Sequence, residues 1–212
     1  MKPVVANGQQ GQSKPLDPTA LLLLFGDSIS AGWGVASNEG LAPLMQRRLA
    51  TQGSAFDCFY CEQAGVPGDT AAGGIRRIDP WLERSPVLVV IQFGGNDVFS
   101  GRSFDALHDD LILIAARFTA FGARTVIAGT SFRALPEAAR KGLESTWRSA
   151  AADSNSLLLP DLLRGVSGID ECEQGDGVHP NALGYQRIAD TLWLGVESEL
   201  RHLVLRNDRG TT

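Results

Sequence analysis

Five residues on four separate segments of the chain carry groups that acyl-transfer chemistry can use. Ser28 lies in FGDSIS, Gly68 in GVPGDT, Asn96 in FGGND, and Asp176 and His179 in DGVHP. Cleaving an acyl bond needs a nucleophile, a base that takes its proton, a group that orients the base, and hydrogen-bond donors for the developing oxyanion. The sequence offers a candidate for each of these needs.

Taken alone, the segment around Ser28 permits two interpretations. The apolar run at 20–26 followed by Asp27 and Ser28 predicts a buried strand that enters a helix, and both Asp and Ser are favoured N-caps. Ser28 could therefore cap a helix or act as a nucleophile. Asp27 is predicted to brace the loop as a hydrogen-bond acceptor rather than to react.

Asp176 and His179 are three residues apart. One turn of chain can therefore place the carboxylate against one imidazole nitrogen and leave the other nitrogen free for a serine. The chain has two further histidines, His108 and His202, and both lie in polar stretches that predict solvated side chains. Pro180 stiffens the exit into the last helix. His179 is therefore the candidate base.

Gly68 and Asn96 have the properties of oxyanion donors. A glycine lacks Cβ, so its amide can approach an anion closely in a backbone conformation that other residues avoid. The alternative is that Gly68 serves only the turn in PGDT. The Asn96 side chain has an uncharged NH₂ donor, which suits a partner that becomes negative only in the transition state. Asp97, rather than Asn96, is predicted to cap the helix that follows.

The segments that must position these residues alternate between strand and helix patterns. Ligands bind beyond the carboxyl ends of the strands in a parallel α/β sheet. The alternation predicts right-handed βαβ crossovers and a parallel sheet covered on both faces. The predicted strands are 20–26, 55–61, 86–94, 124–130 and 156–161, and the predicted helices are 40–50, 69–84, 104–122, 135–154 and 181–204.

The four segments, in this order and at these spacings, resemble the motif blocks of the SGNH or GDSL hydrolases. The resemblance spans residues 20 to about 200 and is greatest to the bacterial branch of acyl-thioesterases, arylesterases and lysophospholipases. It implies a three-layer α/β/α flavodoxin-like fold with a five-stranded parallel sheet. It also implies a serine ester hydrolase that cleaves short- to medium-chain acyl esters or thioesters through an acyl-enzyme intermediate, without a metal or a cofactor.

The resemblance assigns a role to each candidate residue. Ser28 is the nucleophile, His179 is the general base, and Asp176 orients the base. The backbone N–H groups of Ser28 and Gly68 and the side-chain amide of Asn96 form the oxyanion hole.

Three features depart from the family pattern: Gln63, Gln92 and the loop VFSGRSFD after Asn96. Because that loop commonly borders the acyl pocket in the family, the resemblance does not assign a substrate preference. Gln63 stands where the family commonly has Asn, which leaves the bracing of the Gly68 loop open. Gln92 is polar in the apolar run VLVVIQF and is expected to hydrogen-bond within the core or to a neighbouring loop. A partly apolar substrate cleft is predicted, with Trp33, Val66, Phe99, Phe104 and Val178.

The sequence leaves some alternatives to a serine ester hydrolase open and disfavours others. A non-catalytic ligand-binding module, an acyltransferase and a carbohydrate O-deacetylase are possible on the same fold. An α/β-hydrolase is disfavoured because Ser30 stands where the G-x-S-x-G elbow needs its second glycine. A dinucleotide-binding oxidoreductase is disfavoured because Ser37 replaces the third glycine of the fingerprint in GWGVAS.

The composition is that of a globular protein with a small-molecule partner. The chain has 212 residues, of which 43% are hydrophobic and 20% charged, and a net charge of -5. No long basic run is present, so a nucleic-acid partner is not expected, and neither is integral membrane association. The partner predicted is a small-molecule ester, and no oligomeric state is predicted. With three cysteines, reduced thiols are expected; Cys58 and Cys61 form a C-x-x-C in a strand-like run, which disfavours a metal or redox site.

The predicted organisation is a single domain with short flanking segments. Residues 1–19 form a flexible polar segment, residues 20–205 the hydrolase domain, and residues 206–212 a flexible tail. Residues 1–19 contain no apolar stretch of signal-peptide length, so a cytoplasmic location is expected. A trimmed signal would instead indicate a periplasmic or secreted protein.

Overall fold

A computed structural model describes residues 20–208 and contains a five-stranded parallel sheet. The strand order is β2-β1-β3-β4-β5, which is the flavodoxin-like order. The predicted α/β fold with a five-stranded parallel sheet is therefore confirmed. The strands are β1 (Ala20–Gly26), β2 (Phe59–Gly65), β3 (Leu88–Gln92), β4 (Arg124–Ala128) and β5 (Leu157–Leu159).

Eight α-helices are described, together with 3-10 turns at Ser54–Phe56 and Asp170–Cys172. Helix α2 packs against α8, whereas α6 packs against α3 and α7. The helices are α1 (Ser28–Ala31), α2 (Leu41–Ala50), α3 (Ala71–Arg76), α4 (Asp79–Glu83), α5 (Gly95–Phe99), α6 (Phe104–Ala120), α7 (Glu137–Asp153) and α8 (Ala182–Asp208).

The two central strands that lead into the site are buried. All seven residues of β1 and all five of β3 are buried, as expected for parallel strands covered by helices on both faces. Strand order reverses direction beside β1, since β2 lies on one side of it and β3 on the other. The loops that follow β1 and β3 therefore meet at a topological switch point, where such sheets bind ligands.

The predicted position of the second strand is wrong by several residues. The aromatic run at 55–61 predicted a strand there, but Ser54–Phe56 is a 3-10 turn and β2 is Phe59–Gly65. Phe56 is buried against the Phe59 and Trp193 rings rather than in the sheet. Aromatic residues fit a turn that covers the core as well as they fit a strand.

The predicted helix at 69–84 is two helices. Helix α3 ends at Arg76, and α4 begins at Asp79 with Pro80 in its first turn. Proline is accommodated in the first turn of a helix but not in its interior, because it has no N–H and its ring clashes with the preceding turn. Pro80 therefore marks a helix start rather than a position within a continuous helix.

The last helix extends beyond the predicted domain end. Helix α8 runs to Asp208 and therefore includes residues 206–208, which the sequence assigned to the C-terminal tail. The sequence has neither glycine nor proline between Gly195 and Gly210 to stop the helix earlier. The predicted segment 1–19 and residues 209–212 lie outside the described residues. Within 20–208, no helix is both long enough and apolar enough to cross a bilayer.

Candidate active site

The turn from β1 into α1 presents Ser28 at the carboxyl edge of the sheet. Asp27 is the N-cap of α1, and its Oδ1 accepts a hydrogen bond from the Ile29 N–H at 3.0 Å. Ser28 is the first residue of α1, and Gly32 ends the helix with φ +73. Within residues 20–208, the Ser28 N–H has no hydrogen-bond acceptor. The local sequence therefore uses Asp27 as the cap and leaves Ser28 free to face the cleft.

Ser28, His179 and Asp176 form a continuous chain of hydrogen bonds. His179 Nε2 lies 3.0 Å from Ser28 Oγ, and His179 Nδ1 lies 2.6 Å from Asp176 Oδ2. The Asp176 Oδ1 accepts from the N–H groups of Val178 at 2.9 Å and His179 at 2.8 Å. Serine and carboxylate thus contact opposite nitrogens of one imidazole ring, which is the arrangement that general-base activation of a serine requires.

The environment of Asp176 keeps its carboxylate ionised. Partial burial raises the pKa of Asp176, but hydrogen bonds from the N–H and ring of His179 and from the Val178 N–H outweigh burial and lower the pKa to about 2. An ionised carboxylate orients the imidazole and stabilises the imidazolium that forms when the ring takes a proton.

Gly68 and Asn96 lie on the same cavity as Ser28. Gly68 has φ +80, a conformation that favours glycine, and its N–H has no acceptor among the described residues. Asn96 Nδ2 donates to the Asp69 carbonyl at 3.0 Å and, more weakly, to Asp27 Oδ2 at 3.3 Å. Two free backbone donors and one side-chain amide therefore surround the space beside the serine.

The predicted capping role of Asp97 is wrong for the helix that contains it. Helix α5 has Gly94 as its N-cap and no side-chain cap. Ala71 is the first residue of α3, and its N–H donates to the two oxygens of the Asp97 carboxylate at 3.2 and 3.3 Å. The carboxylate also accepts from Arg102 Nε at 3.1 Å. Burial raises the pKa of Asp97, and these hydrogen bonds oppose the rise. Asp97 therefore connects α5, which contains Asn96, to α3, the helix that follows Gly68.

Asp27 is a buried carboxyl group beside the nucleophile. Its exposed fraction is 2%, and burial raises its pKa to about 6, although hydrogen bonds from the Ile29 N–H and the Gln92 side chain oppose the rise. Its two oxygens contact the Ile29 N–H and the Asn96 amide. These contacts agree with the bracing role expected for Asp27.

The Gly68 loop is braced by a residue that the sequence did not single out. Arg77 donates through Nη2 to the Gly26 carbonyl at 2.8 Å and through Nε to Asp69 Oδ2 at 2.7 Å. Gln63 does not reach this loop, because its Oε1 accepts from the Gly65 N–H of its own strand at 2.8 Å. An arginine one residue beyond a short helix carries no sequence signal for this role.

A second unpredicted contact joins the histidine loop to the end of α1. Gln174 Nε2 donates to the carbonyls of Trp33 and Pro180, each at 2.8 Å, and the Gln174 N–H donates to the His179 carbonyl at 2.9 Å. The glutamine therefore fixes the loop that carries His179 against the segment that follows Ser28. Its position two residues before Asp176 was the available signal, because bracing residues flank catalytic loops.

Gln92, the polar residue of β3, is fully buried beneath the nucleophile turn. Its Oε1 accepts from Ser30 Oγ at 3.0 Å, from the Ser30 N–H at 3.3 Å and from the Asp27 N–H at 3.4 Å. Its Nε2 donates to Thr130 Oγ1 at 3.4 Å. Both options expected for Gln92 are therefore realised, because it bonds within the core and to a neighbouring loop.

The cavity around Ser28 has a volume of about 360 Å³ and mainly uncharged walls. Of the predicted cleft residues, Trp33, Phe99 and Val178 line it, whereas Val66 and Phe104 do not. The Val66 N–H donates to the Gly26 carbonyl at 3.1 Å, which continues the strand pairing and leaves Val66 outside the cavity. Phe104 packs on α7 beside Gly142. The cavity lining is completed by Asp27, Ser28, Pro67, Gly68, Gly95, Asn96, Phe132 and His179.

A flavodoxin-like sheet with a Ser–His–Asp contact at its carboxyl edge defines the SGNH class of serine ester hydrolases, and the comparisons with known proteins agree. The profile of the GDSL-like Lipase/Acylhydrolase family matches residues 24–187. The chain is 35% identical to Esterase TesA of Pseudomonas aeruginosa over 176 residues, which cover 81% of this chain and 85% of that protein. The chain therefore belongs to the GDSL-like lipase/acylhydrolase family.

Two solved structures have the same fold. A crystal structure of TesA has a TM-score of 0.77 and 32% identity, and the match covers 84% of this chain and 98% of that one. The psychrotrophic esterase EstA from Pseudoalteromonas, inhibited by monoethylphosphonate, has a TM-score of 0.77 and 25% identity, with 87% and 100% coverage. A thioesterase 1/protease 1/lysophospholipase L1 of Escherichia coli is 24% identical over 183 residues, which cover 85% of each chain.

Proposed function

We propose that the protein hydrolyses short- to medium-chain acyl esters and thioesters through an acyl-enzyme on Ser28. The observation that carries the proposal is the 3.0 Å contact between His179 Nε2 and Ser28 Oγ, with Asp176 on the opposite ring nitrogen. A serine is a weak nucleophile at its ordinary pKa and needs such an adjacent base.

The reaction has two steps. In the first, His179 takes the Ser28 hydroxyl proton while Oγ attacks the substrate carbonyl, and the tetrahedral intermediate then expels the alcohol or thiol with a proton from His179. In the second, His179 takes a proton from water, which attacks the acyl-enzyme carbonyl. The second tetrahedral intermediate then expels Ser28 Oγ, which takes that proton from His179, and releases the acid. Asp176 keeps the imidazole in the tautomer that both steps use. Neither step needs a metal or a cofactor.

The negative oxygen of each intermediate accepts hydrogen bonds from Ser28, Gly68 and Asn96. The two backbone N–H groups are without acceptors among residues 20–208, so their donation costs no existing bond. Asn96 is already engaged twice, and its contact with Asp27 Oδ2 is the longer at 3.3 Å. The Asn96 Nδ2 proton that faces Asp27 is therefore the one that turns to the oxyanion as charge develops.

The cavity walls favour an uncharged acyl group. Within the part of the chain that the structure describes, Asp27 and His179 are the ionisable residues that line the cavity, and aromatic rings flank it. Trp33 and Phe99 are 52% and 56% exposed, so the cavity opens to solvent and water can reach the acyl-enzyme. This openness supports hydrolysis over transfer to an alcohol. The names of the relatives include both esterase and thioesterase. The cytoplasmic location and the lack of a nucleic-acid partner stay predictions.

The proposal is tested with a fluorophosphonate probe and with nitrophenyl esters of graded acyl length. Wild-type protein is expected to be labelled and to hydrolyse the shorter esters fastest, with activity retained in a chelator. Ser28→Ala is expected to lose both labelling and hydrolysis. Ser149→Ala is the matched control, because Ser149 also lies near a histidine but outside the cavity. Equal labelling of the wild type and Ser28→Ala would refute the nucleophile assignment.

A further inference from the structure

Helix α1 has a small set of backbone donors at its start, and most of them have defined acceptors. The first N–H groups of a helix have no partner within the helix. The Asp27 carboxylate accepts from the Ile29 N–H, and Gln92 Oε1 accepts from the Ser30 N–H and from the Asp27 N–H that precedes the helix. Ser28 is the residue of this turn whose N–H is left without an acceptor in the described chain.

From this pattern we propose that Gln92 is a positioning residue for catalysis: its amide oxygen holds the nucleophile turn so that the Ser28 N–H and Oγ face the substrate carbonyl. The inference rests on the proposed function, since it assigns a purpose to the same oxyanion hole. Gln92 touches neither the substrate cavity nor His179, so it acts through Ser28.

The position of Gln92 in the sheet makes it a rigid support. It is the last residue of β3 and is fully buried, and its backbone is paired in the sheet with Gly26. A Cβ at Gly26 would lie 2.7 Å from Gln92 Oε1, so the close fit of the amide depends on a glycine at that position. Support from a buried strand is more precise than support from a loop.

The amide is oriented by the partners of its nitrogen. Nε2 donates to Thr130 Oγ1, whose residue is also fully buried, so Oε1 must face α1. Ser30 adds a third donor through its hydroxyl at 3.0 Å. A methionine of similar length would leave all three donors without an acceptor, whereas a glutamate would keep an acceptor oxygen. A buried donor without a partner is costly, so the turn would shift to find one.

The decisive experiment compares Gln92→Met with Gln92→Glu on a nitrophenyl ester. Gln92→Met is expected to lower kcat about 30-fold while KM stays within about twofold, a smaller loss than removal of one oxyanion donor, which costs about 10²–10³-fold. Gln92→Glu is expected to recover at least about fivefold of that loss. Val90→Ala is the matched control: it also destabilises buried β3, without contact to α1, and its kcat is expected to equal that of the wild type.

Thermal unfolding accompanies each variant, and a second variant covers a failure of Gln92→Met to fold. Thr130→Val leaves the Oε1 contacts in place but removes the partner that orients the amide. Its kcat is expected to fall about fivefold with unchanged KM. Wild-type kcat in Thr130→Val, or equal kcat in the Met and Glu variants at position 92, would overturn the inference.

Ser28→Ala is measured in parallel to separate the two proposals. If the wild type has no activity that depends on Ser28, the proposed function fails. If that activity is present and Gln92→Met retains all of it, the proposed function stands and the role of Gln92 is refuted.

Discussion

Among residues 20–208, two clusters bring a serine, a histidine and an aspartate within hydrogen-bond distance. The first consists of the proposed catalytic residues Ser28, His179 and Asp176 at the carboxyl edge of the sheet and is called the catalytic cluster. The second, the surface cluster, joins His108 of α6 to Ser149 and Asp153 of α7. His108 Nε2 lies 3.0 Å from Asp153 Oδ2 and 3.3 Å from Ser149 Oγ.

The clusters differ in what contacts the ring nitrogen that faces the serine. In the catalytic cluster, Asp176 contacts Nδ1 of His179 and Ser28 contacts Nε2. In the surface cluster, Asp109 contacts Nδ1 of His108 at 3.3 Å, but Ser149 and Asp153 share Nε2, and Ser149 also donates to Asp153 at 3.3 Å. Asp153 therefore competes for the proton that a base would take from the serine.

The clusters also differ in the donors beside the serine. Ser28 stands at the first position of a short helix, where its N–H has no acceptor among residues 20–208, and Gly68 and Asn96 lie on the same cavity. Ser149 stands inside α7, where backbone N–H groups are used by the helix. The difference teaches that residue types within reach do not make a hydrolase; the serine also needs a ring nitrogen that no carboxylate shares, and donors beside it.

Replacing each histidine is expected to give the largest contrast. His179→Ala removes the base, so kcat/KM is expected to fall about 10⁴-fold or more. His108→Ala is expected to keep kcat/KM within about twofold, because His108 lies outside the cavity. Steady-state hydrolysis of a nitrophenyl ester checks both. Comparable losses in the two variants would break the distinction between the clusters.

Replacing each aspartate sharpens the comparison at the orienting group. Asp176→Asn offers an NH₂ donor where His179 Nδ1–H needs an acceptor, which favours the unproductive tautomer, so kcat is expected to fall about 10³-fold. Asp153→Asn removes the same charge from the surface cluster and is expected to leave kcat unchanged. Unchanged activity in Asp176→Asn would mean that the short Asp176 contact does not orient the base.

The buried carboxyl group of Asp27, next to the catalytic cluster, is expected to lower the stability of the folded protein at neutral pH. Because the pKa of Asp27 is raised from 3.8 to about 6 in the folded protein, stability falls as pH rises from 3.8 through 6. Asp27→Asn is therefore expected to raise the free energy of unfolding at pH 7 by up to about 3 kcal/mol, with lower kcat. Urea unfolding should show that Asp27→Asn has no gain in the free energy of unfolding at pH 3.5. Asp153→Asn should have no such gain at pH 7.

The surface cluster is expected to have a smaller pH dependence in the same direction, at higher pH. Burial lowers the pKa of His108, but hydrogen bonds to Asp109 and Asp153 outweigh it and raise the pKa. The stabilisation is therefore fully present below the unfolded value of about 6.5 and is lost as pH rises through the folded pKa. The free energy of unfolding of the wild type should exceed that of His108→Gln by less than about 1 kcal/mol at pH 5. At pH 9 the two proteins should be equally stable. A larger difference at pH 9 would contradict this.

The parts of the fold that the sequence predicted are those with strong local patterns. Strand β1 is a continuous apolar run, so its bounds of 20–26 were predicted correctly. Strand β2 was misplaced because it is an edge strand paired on one side with β1, and most of its residues are only partly buried. Burial on one side leaves a weaker apolar signal than burial on both.

Residues of the candidate site could be predicted where the type of side chain alone indicates the role. They could not be predicted where the role depends on the hydrogen-bond partners of the side chain. Ser28, Asp176 and His179 could be proposed from the sequence because the chemistry requires those residue types in ordered segments, and the structure brings their side chains into contact. The supporting roles of Gln92 and Arg77 could not be predicted, because they depend on which backbone carbonyl and N–H groups the neighbouring segments place within reach. Those neighbours follow from the sheet order, which the local pattern does not contain.

The contact between Ser28 and His179 joins residues 151 positions apart. During synthesis the serine leaves the ribosome long before the histidine does, and domains fold as units once their chain is available. Contacts between distant residues also form late, because loop closure must precede them. Chains that end before residue 179 therefore lack the proposed base. The proposed nucleophile and its base can meet only after most of the domain has been synthesised.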